Sequence, residues 1–278
     1  PVILAPAMDE DMWKHPATRN NLKQIEQFGN TVIPVENGEL ASGLTGEGRM
    51  AEPEYIKDYI IHFLSRSNGK LAGKKALVTD GPTHEHIDPV RFIGNHSSGK
   101  MGIALANALH NQGAEVTLVL GPVSADHLSK DIKVVKVQSA REMYDACLHV
   151  FSQTDIAVMA AAVADYTPVT FVGEKIKKND GNWSLELKRT TDILKDLGGR
   201  KREGQLLVGF ALETNNEEAN ALTKLKSKNA DMIVLNSLND KDAGFGKDTN
   251  KITIFDKKGG VAGFEAKPKE AVAVDIVN

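Results

Sequence analysis

Cysteine is almost absent from this chain: Cys147 is the only one in 278 residues. An internal disulfide and a cysteine-based metal site are therefore both excluded, and a reducing compartment is expected. Charge of one sign is lacking too. Lys and Arg number 34 against 37 Asp and Glu, a net of −3, so no basic face is dictated and duplex nucleic acid is not the expected partner. No apolar run nears the roughly 20 residues of a membrane span, and no signal peptide is recognisable. The histidines are scattered and form no HExxH or His/Cys cluster, and no G-x-S-x-G elbow occurs. What is present is ordinary for a globular protein, 41% hydrophobic and 26% charged, which excludes intrinsic disorder. These absences predict a cytoplasmic α/β-type protein.

At about 150 residues per domain the length allows one or two domains. Charge places a boundary near residue 66: residues 1–66 carry a net of −4 and the remainder +1. Ser65–Lys70 has linker character, and a helical period over Glu54–Leu64 closes the first segment. The chain opens Pro1-Val2-Ile3-Leu4-Ala5-Pro6, as if inside a buried strand. The expectation is that 1–66 is the end of a domain that begins earlier and that 67–278 is a second one.

Beyond the linker, strands and helices alternate. Strands are predicted at Lys75–Thr79, Ala114–Leu120, Asp155–Val163, Gln205–Ala211 and Met232–Leu235. Helices are predicted at Ser98–Gln112, Ala140–Phe151 and Glu217–Lys228. A hairpin joins Lys251–Phe255 to Val261–Phe264, and Pro268 opens a last helix. The fold class is α/β, a doubly wound, mostly parallel Rossmann-like sheet with a late hairpin, preceded by a partial flavodoxin-like segment. Ligands of such sheets lie beyond the carboxyl ends of the strands.

The unusual residues fall at those ends. The connection Gly81–Lys100 is far longer than the usual 2–6 residues, which favours function. It ends in Asn95, Ser97, Ser98 and a helix N-terminus beside Lys100, a cradle suited to phosphate; a plain Ser cap is the alternative. Gly94-Asn95-His96-Ser97-Ser98-Gly99-Lys100-Met101 falls short of a P-loop, since Met101 replaces the Mg²⁺-binding hydroxyl and no Walker-B strand is recognisable. No dinucleotide fingerprint or Tyr-x-x-x-Lys pair is present, which disfavours hydride transfer. Small residues at Ala160–Ala164 would let a ligand approach the backbone, and Asp165 could accept from a ribose; packing and a turn are the competing reading. Lys175-Ile176-Lys177-Lys178 and the i,i+4 pair Lys224 and Lys228 could neutralise phosphates or simply be solvated faces. The residues alone indicate a phosphate- or nucleotide-handling α/β protein.

Taken together, the motifs resemble one family. Gly81-Pro82-Thr83, Ile87–Ile93, Asn95 with Ser97–Gly102, Ala161–Tyr166, Lys175–Lys178, Val208–Ala211 with Glu213-Thr214, and Asn236 follow the order of the ligase domain of bacterial bifunctional phosphopantothenoylcysteine decarboxylase/phosphopantothenate–cysteine ligases, enzymes of coenzyme A biosynthesis. The resemblance implies a Mg²⁺-dependent ligation in which the 4′-phosphopantothenate carboxylate attacks CTP and L-cysteine then displaces CMP from the acyl-cytidylate. It places Asn95 at the acyl phosphate, Lys175 on the intermediate, Gly81, Ser97, Ser98, Ala161, Asp165 and Phe210 around the nucleotide, and Lys224 and Lys228 on the triphosphate. It also implies a homodimer, with the late hairpin as a dimer element. Residues 1–66 are similar to the end of the decarboxylase domain: Pro6–Trp13, with Met8 and Asp9, resembles its substrate clamp, and Ala41–Gly43 with Gly46–Met50, including Arg49, resembles its flap. Asp9 stands at the clamp's Asn position and Ser42 at the flap's proton-donating Cys, and a hydroxyl is a far weaker acid than a thiol. FMN is implied for a full-length parent and not for this segment alone, which is not expected to decarboxylate. A non-catalytic binding or regulatory module and a nicotinamide-dependent reductase are the alternatives. Intact Asn95, Asp165 and Lys175 count against the first, and the missing glycine fingerprint against the second.

Overall fold

The computed structural model describes residues 2–67, 69–177, 181–213, 215–237 and 247–278. The chain divides into two compact units, residues 1–68 and 69–278.

The first unit is small and thinly packed. Strand β1 (Ile3–Leu4) leads into helices α1 (Glu10–Lys14) and α2 (Pro16–Gln27), and β1 pairs in parallel with β2 (Thr31–Val32). Strands β3 (Glu36–Glu39) and β4 (Thr45–Arg49) form an antiparallel hairpin, followed by α3 (Pro53–Ser67). Trp13 is buried, with the Arg19 guanidinium 4.1 Å from its ring, a cation–π contact.

The second unit contains β5 (Lys75–Asp80), β6 (His84–His86), β7 (Phe92–Gly94), α4 (Lys100–Asn111), β8 (Glu115–Leu120), β9 (Lys133–Lys136), α5 (Ala140–Phe151) and β10 (Ile156–Met159). It continues with β11 (Tyr166–Pro168), β12 (Leu187–Arg189), α6 (Ile193–Arg200), β13 (Leu206–Glu213), α7 (Glu217–Ser227), β14 (Met232–Ser237), β15 (Thr249–Asp256), β16 (Val261–Pro268) and α8 (Lys269–Val277). Eight strands make one sheet in the order β16-β15-β14-β13-β10-β5-β8-β9. Those from β14 to β9 are parallel, while β15 and β16 run antiparallel at one edge. The winding starts at β5, proceeds outward through β8 and β9, then returns across to β10, β13 and β14. The order therefore reverses between β5 and β10, where a doubly wound sheet opens a crevice.

Side-chain alternation splits the core in two. Ala76, Val78, Val158, Val208 and Val234 face α4 and α8, while Leu77, Ala157, Leu207, Ile233 and Leu235 face α5, α6 and α7. Helix α4 is buried on nearly every side from Gly102 to His110, because α8 packs over the flank that the sheet leaves open. Helix α5 begins at a reciprocal cap: Ser139 Oγ accepts from Glu142 N at 3.2 Å, and the Glu142 carboxylate accepts from Gln138 N at 2.7 Å.

Two expectations are corrected. The strand expected over Asp155–Val163 stops at Met159, and beyond it only an isolated parallel bridge between Ala162 and Pro82 continues the pairing. The long connection Gly81–Lys100 is not wholly irregular, since β6 and β7 form a hairpin within it. Among the described residues no helix is long and apolar enough to cross a membrane.

Candidate ligand-binding cleft

At the reversal point lies a cleft of about 1000 Å³, lined from the carboxyl ends of β5, β10, β13 and β14, the first turns of α4 and α6, and α7. Asn95, Ser97, Ser98, Ala161, Asp165, Phe210, Lys224 and Lys228 all line it. Gly81 and Lys175 do not. Gly81 is buried at the end of β5 with φ +79°, packed against Gly121 and Val123, so it shapes the backbone and offers no surface to a ligand. Lys175 is exposed, and its neighbour Ile176 is clipped to the β6–β7 hairpin. Ile176 N donates to Asp88 Oδ2 at 3.1 Å, and Arg91 Nη2 donates to Ile176 O at 2.9 Å. The Arg91 guanidinium beside Asp88 holds that fully covered carboxyl well below the usual carboxylate range. Lys178 and Thr214 lie outside the described residues.

One end of the cleft is basic. Lys224, on α7, donates to the Phe210 carbonyl at 2.7 Å, and burial, opposed by nearby carboxylates, lowers its pKa. Lys228 pairs with Asp192, whose other oxygen caps α6 by accepting from Lys195 N at 2.9 Å. Burial works against ionisation of Asp192, but Lys228 and the Lys195 amide outweigh it and the pKa is lowered. A phosphate entering here meets two lysines, one of them held by a carboxylate that it would have to displace.

Asn95 stands at the centre as a brace. Its Nδ2 donates to the carbonyls of Ala162 at 3.2 Å and Val163 at 3.0 Å, which spends both side-chain hydrogens on the 160–165 turn. With both hydrogens engaged, its carbonyl oxygen is the polar atom left for a ligand. Thr83 Oγ1 supports the same turn, accepting from Ala164 N at 3.0 Å.

The other end is formed by α4. Its cap is Gly99, without a side-chain cap bond, so the plain Ser-capped helix is corrected; Ser97 Oγ accepts only a long 3.4 Å bond from Gly99 N. Lys100 is turned to Asp248 at 2.5 Å. Sequence reasoning passed over three lining groups: the Thr190–Leu194 turn with Asp192, Lys269 on α8, and Asp80. The signal for Asp80 was an acid ending an otherwise apolar strand. Asn236, noted only through its place in the motif order, lines the cleft with a buried Oδ1 that has no hydrogen-bond partner among the described residues.

In the first unit the clamp and flap residues meet. Met8 N donates to Gly48 O at 2.9 Å, and Ser42 Oγ donates to Asp9 Oδ1 at 2.6 Å. Arg49 turns away to Glu52 at 2.5 Å. The two positions that depart from the family pattern are thus bonded to each other.

The DNA/pantothenate metabolism flavoprotein C-terminal domain pattern matches residues 71–278, and the flavoprotein pattern matches residues 1–65. The chain belongs to the DNA/pantothenate metabolism flavoprotein C-terminal domain family. It is 55% identical over its whole length to a protein named cysteine/cysteine sulfinic acid decarboxylase from an unknown prokaryotic organism, spanning 78% of that protein. It is 49% identical to the coenzyme A biosynthesis bifunctional protein CoaBC of Bacillus subtilis strain 168, over 93% of this chain and 64% of that one. The crystal structure of the C-terminal domain of a CoaBC protein superposes with a TM-score of 0.63 at 42% identity, covering 74% of this chain and 93% of that domain. The family membership rests on the second unit, whose cleft has just been described. Among the described residues no three His, Cys, Asp or Glu side chains gather into a metal site.

Proposed function

We propose that residues 69–278 ligate 4′-phosphopantothenate to L-cysteine with CTP, through an acyl-cytidylate, in coenzyme A biosynthesis. The observation that carries this reading is the single cleft in which Asn95, Asp165, Lys224 and Lys228 converge at the sheet's reversal point. A carboxylate does not acylate an amine at neutral pH without activation, and the activating step brings together two anions. Cations must screen them, and the Lys224–Lys228 end is placed to hold the triphosphate. Asn95 keeps the 160–165 turn in position beneath the reacting groups, and Asp165 lies where a ribose could donate to it. Mg²⁺ arriving with the nucleotide would need only one or two protein carboxylates, and Asp165 and Asp192 both line the cleft. When bound, the ion supplies charge neutralisation to the phosphates. Lys175 acts on the intermediate only if its loop closes over the cleft.

A homodimer is part of the proposal. Val90, Phe92, Tyr166, Val169, Phe171 and Trp183 are exposed apolar residues on and beside β7 and β11, a surface suited to a second copy. The late hairpin, expected as the dimer element, extends the main sheet as its edge. The cytoplasm is the proposed location.

A second reading concerns residues 2–67. The flavoprotein pattern over residues 1–65, together with the decarboxylase name of the relative at 55% identity, supports a flavin-dependent decarboxylation of a cysteine-type acid in a full-length parent, with FMN bound there. Carbon dioxide release by that parent from cysteine, cysteine sulfinate and phosphopantothenoylcysteine tests it.

For the ligase, pyrophosphate release is measured with 4′-phosphopantothenate, Mg²⁺ and either CTP or ATP, with and without cysteine. Release that requires the acid and prefers CTP is the expected result. No release with either nucleotide from folded protein would leave a binding module.

A further inference from the structure

Asp80 is used by nothing in the ligase reading. It ends β5, is 1% exposed and lines the cleft. Its carboxylate lies under the first turn of α4, where the nearby backbone N–H groups of Gly81, Gly102 and Ile103 favour its ionised form. Room for it exists only because two neighbours lack a side chain. A Cβ on Gly102 would fall 2.5 Å from Asp80 Oδ1, and one on Gly99 would fall 3.1 Å from Oδ2. Oδ2 is buried without a hydrogen-bond partner, a costly state for a carboxylate oxygen.

Among the described residues no cation compensates for it. Lys100 on α4 is engaged by Asp248 and Lys269 on α8 by the Lys247 carbonyl. Strand β8 sets Leu120 beside Asp80 and carries its one titratable group, Glu115, at the opposite end; β10 has none. His110 ends α4, and Arg141, Glu142, Tyr144, Asp145, Cys147 and His149 belong to α5, on the other face of the sheet. Across the cleft stand Asp165, Asp192, Lys224 and Lys228. Burial is the main influence on Asp80, opposed only by the three backbone N–H groups, and it pushes the carboxyl up to about 7.

The position is the one a helix N-terminus gives to an anion. An ionised Asp80 fills that role itself and repels a second negative group. A neutral Asp80 carries a hydrogen that an anion could accept, as buried neutral carboxylic acids do in other sites. We propose that Asp80 is a proton-linked contact for the phosphoryl group of a phosphate monoester at the first turn of α4. The ligand binds with Asp80 protonated, Oδ2–H donating to a phosphoryl oxygen, and the proton comes from solvent. The inference rests on the ligase reading only in taking the phosphorylated acid as the natural occupant.

The test is calorimetric titration of the whole chain, wild type and Asp80→Asn, with 4′-phosphopantothenate and separately with inorganic phosphate, in buffers of different ionisation enthalpy. Asn keeps an acceptor for the helix amides and puts a permanent donor at Oδ2, and a thermal melt checks that the variant folds. Above about pH 7 the wild type is expected to lose affinity by up to about tenfold per pH unit, with proton uptake on binding. Asp80→Asn should show only the ligand's own ionisation, near pH 6 for a phosphate monoester. Equal proton stoichiometry in the two proteins overturns the proposal, as does Mg²⁺-dependent proton release, which would make Asp80 a cation ligand. Absence of binding by either probe overturns it too. If inorganic phosphate shows the Asp80-dependent uptake while 4′-phosphopantothenate binds no tighter, the proposal stands and the ligase reading falls. Tight 4′-phosphopantothenate binding with the same pH dependence in both proteins has the opposite meaning.

Discussion

Asn95 shows how much of a site depends on one amide. Both of its hydrogens are given to the carbonyls of Ala162 and Val163, so Asn95→Asp sets a carboxylate oxygen against two carbonyl oxygens. Each lost bond costs about 1–3 kcal/mol where the carbonyl is left unpaired, and a displaced turn adds to it. Pyrophosphate release is expected to fall at least about 100-fold, and two bonds lost at that cost lower the thermal midpoint of the unit by roughly 4–20 °C. Full activity in that variant would remove the brace. Asp80 makes a prediction about stability. Its folded pKa, about 7, lies above the ordinary 3.8, so its contribution is complete below 3.8 and is lost as pH rises through the folded value. Wild type should lose stability relative to Asp80→Asn between these two pH values and run parallel to it above them, by urea denaturation. Sequence reasoning reached Asn95 because a long loop drew attention to it. It missed Asp80, since one acid at the end of an apolar strand gives no spacing to read; its meaning lies in Gly99 and Gly102, which are close only once α4 has packed.

At the level of elements, periodicity carried well where a helix or strand is covered on a defined face. Helix α5 spans Ala140–Phe151 as its spacing predicts, and β5, β8, β13 and β14 fall within a few residues of their apolar runs. The elements not read from sequence are weakly patterned. Strand β9 is only Lys-Val-Val-Lys at a sheet edge, and α6 is a short Ile-Leu-Lys-Asp-Leu-Gly-Gly-Arg stretch whose two glycines argue against a helix. Tertiary contact secures α6: Asn229 Nδ2 donates to the Gly198 carbonyl at 2.8 Å. A stronger fastening sits at the far end of the same strands. Asp231, 6% exposed, binds Lys201, Lys257 and the Leu207 amide. Burial opposes its ionisation, but the two lysines and the amide prevail and its pKa is lowered. It joins the α6–β13 connection, β14 and the β15–β16 turn. Asp231→Ala leaves the half-buried Lys201 with the Asn229 carbonyl but without a countercharge, and should cost about 3–5 kcal/mol. Because a lowered pKa contributes stability that is lost as pH falls, the gap between wild type and variant should close on acidification. A variant as stable as wild type at neutral pH would show that the hairpin is held by its strand pairing alone.

Across the whole molecule, the cleft and the family match separate the two units by what each needs. Every lining residue of the cleft belongs to 69–278, and so do both hydrophobic clusters that position it. The first unit has few buried side chains, among them Trp13, Ile33 and Leu40, far less core than an independent domain of its length requires. A chain of residues 69–278 is therefore expected to fold alone, with a single cooperative transition, and to bind CTP with Mg²⁺ within about threefold of the whole chain, since a factor of ten already corresponds to 1.4 kcal/mol of lost contact. Residues 2–67 alone are expected to lack a cooperative transition. Circular dichroism melts and calorimetric titration of the two pieces check both statements. If 69–278 folds but loses nucleotide affinity by tenfold or more, residues of the first unit contribute to the cleft. The two halves would then be one functional body, and the Ser42–Asp9 pair would have to be read together with the ligase chemistry.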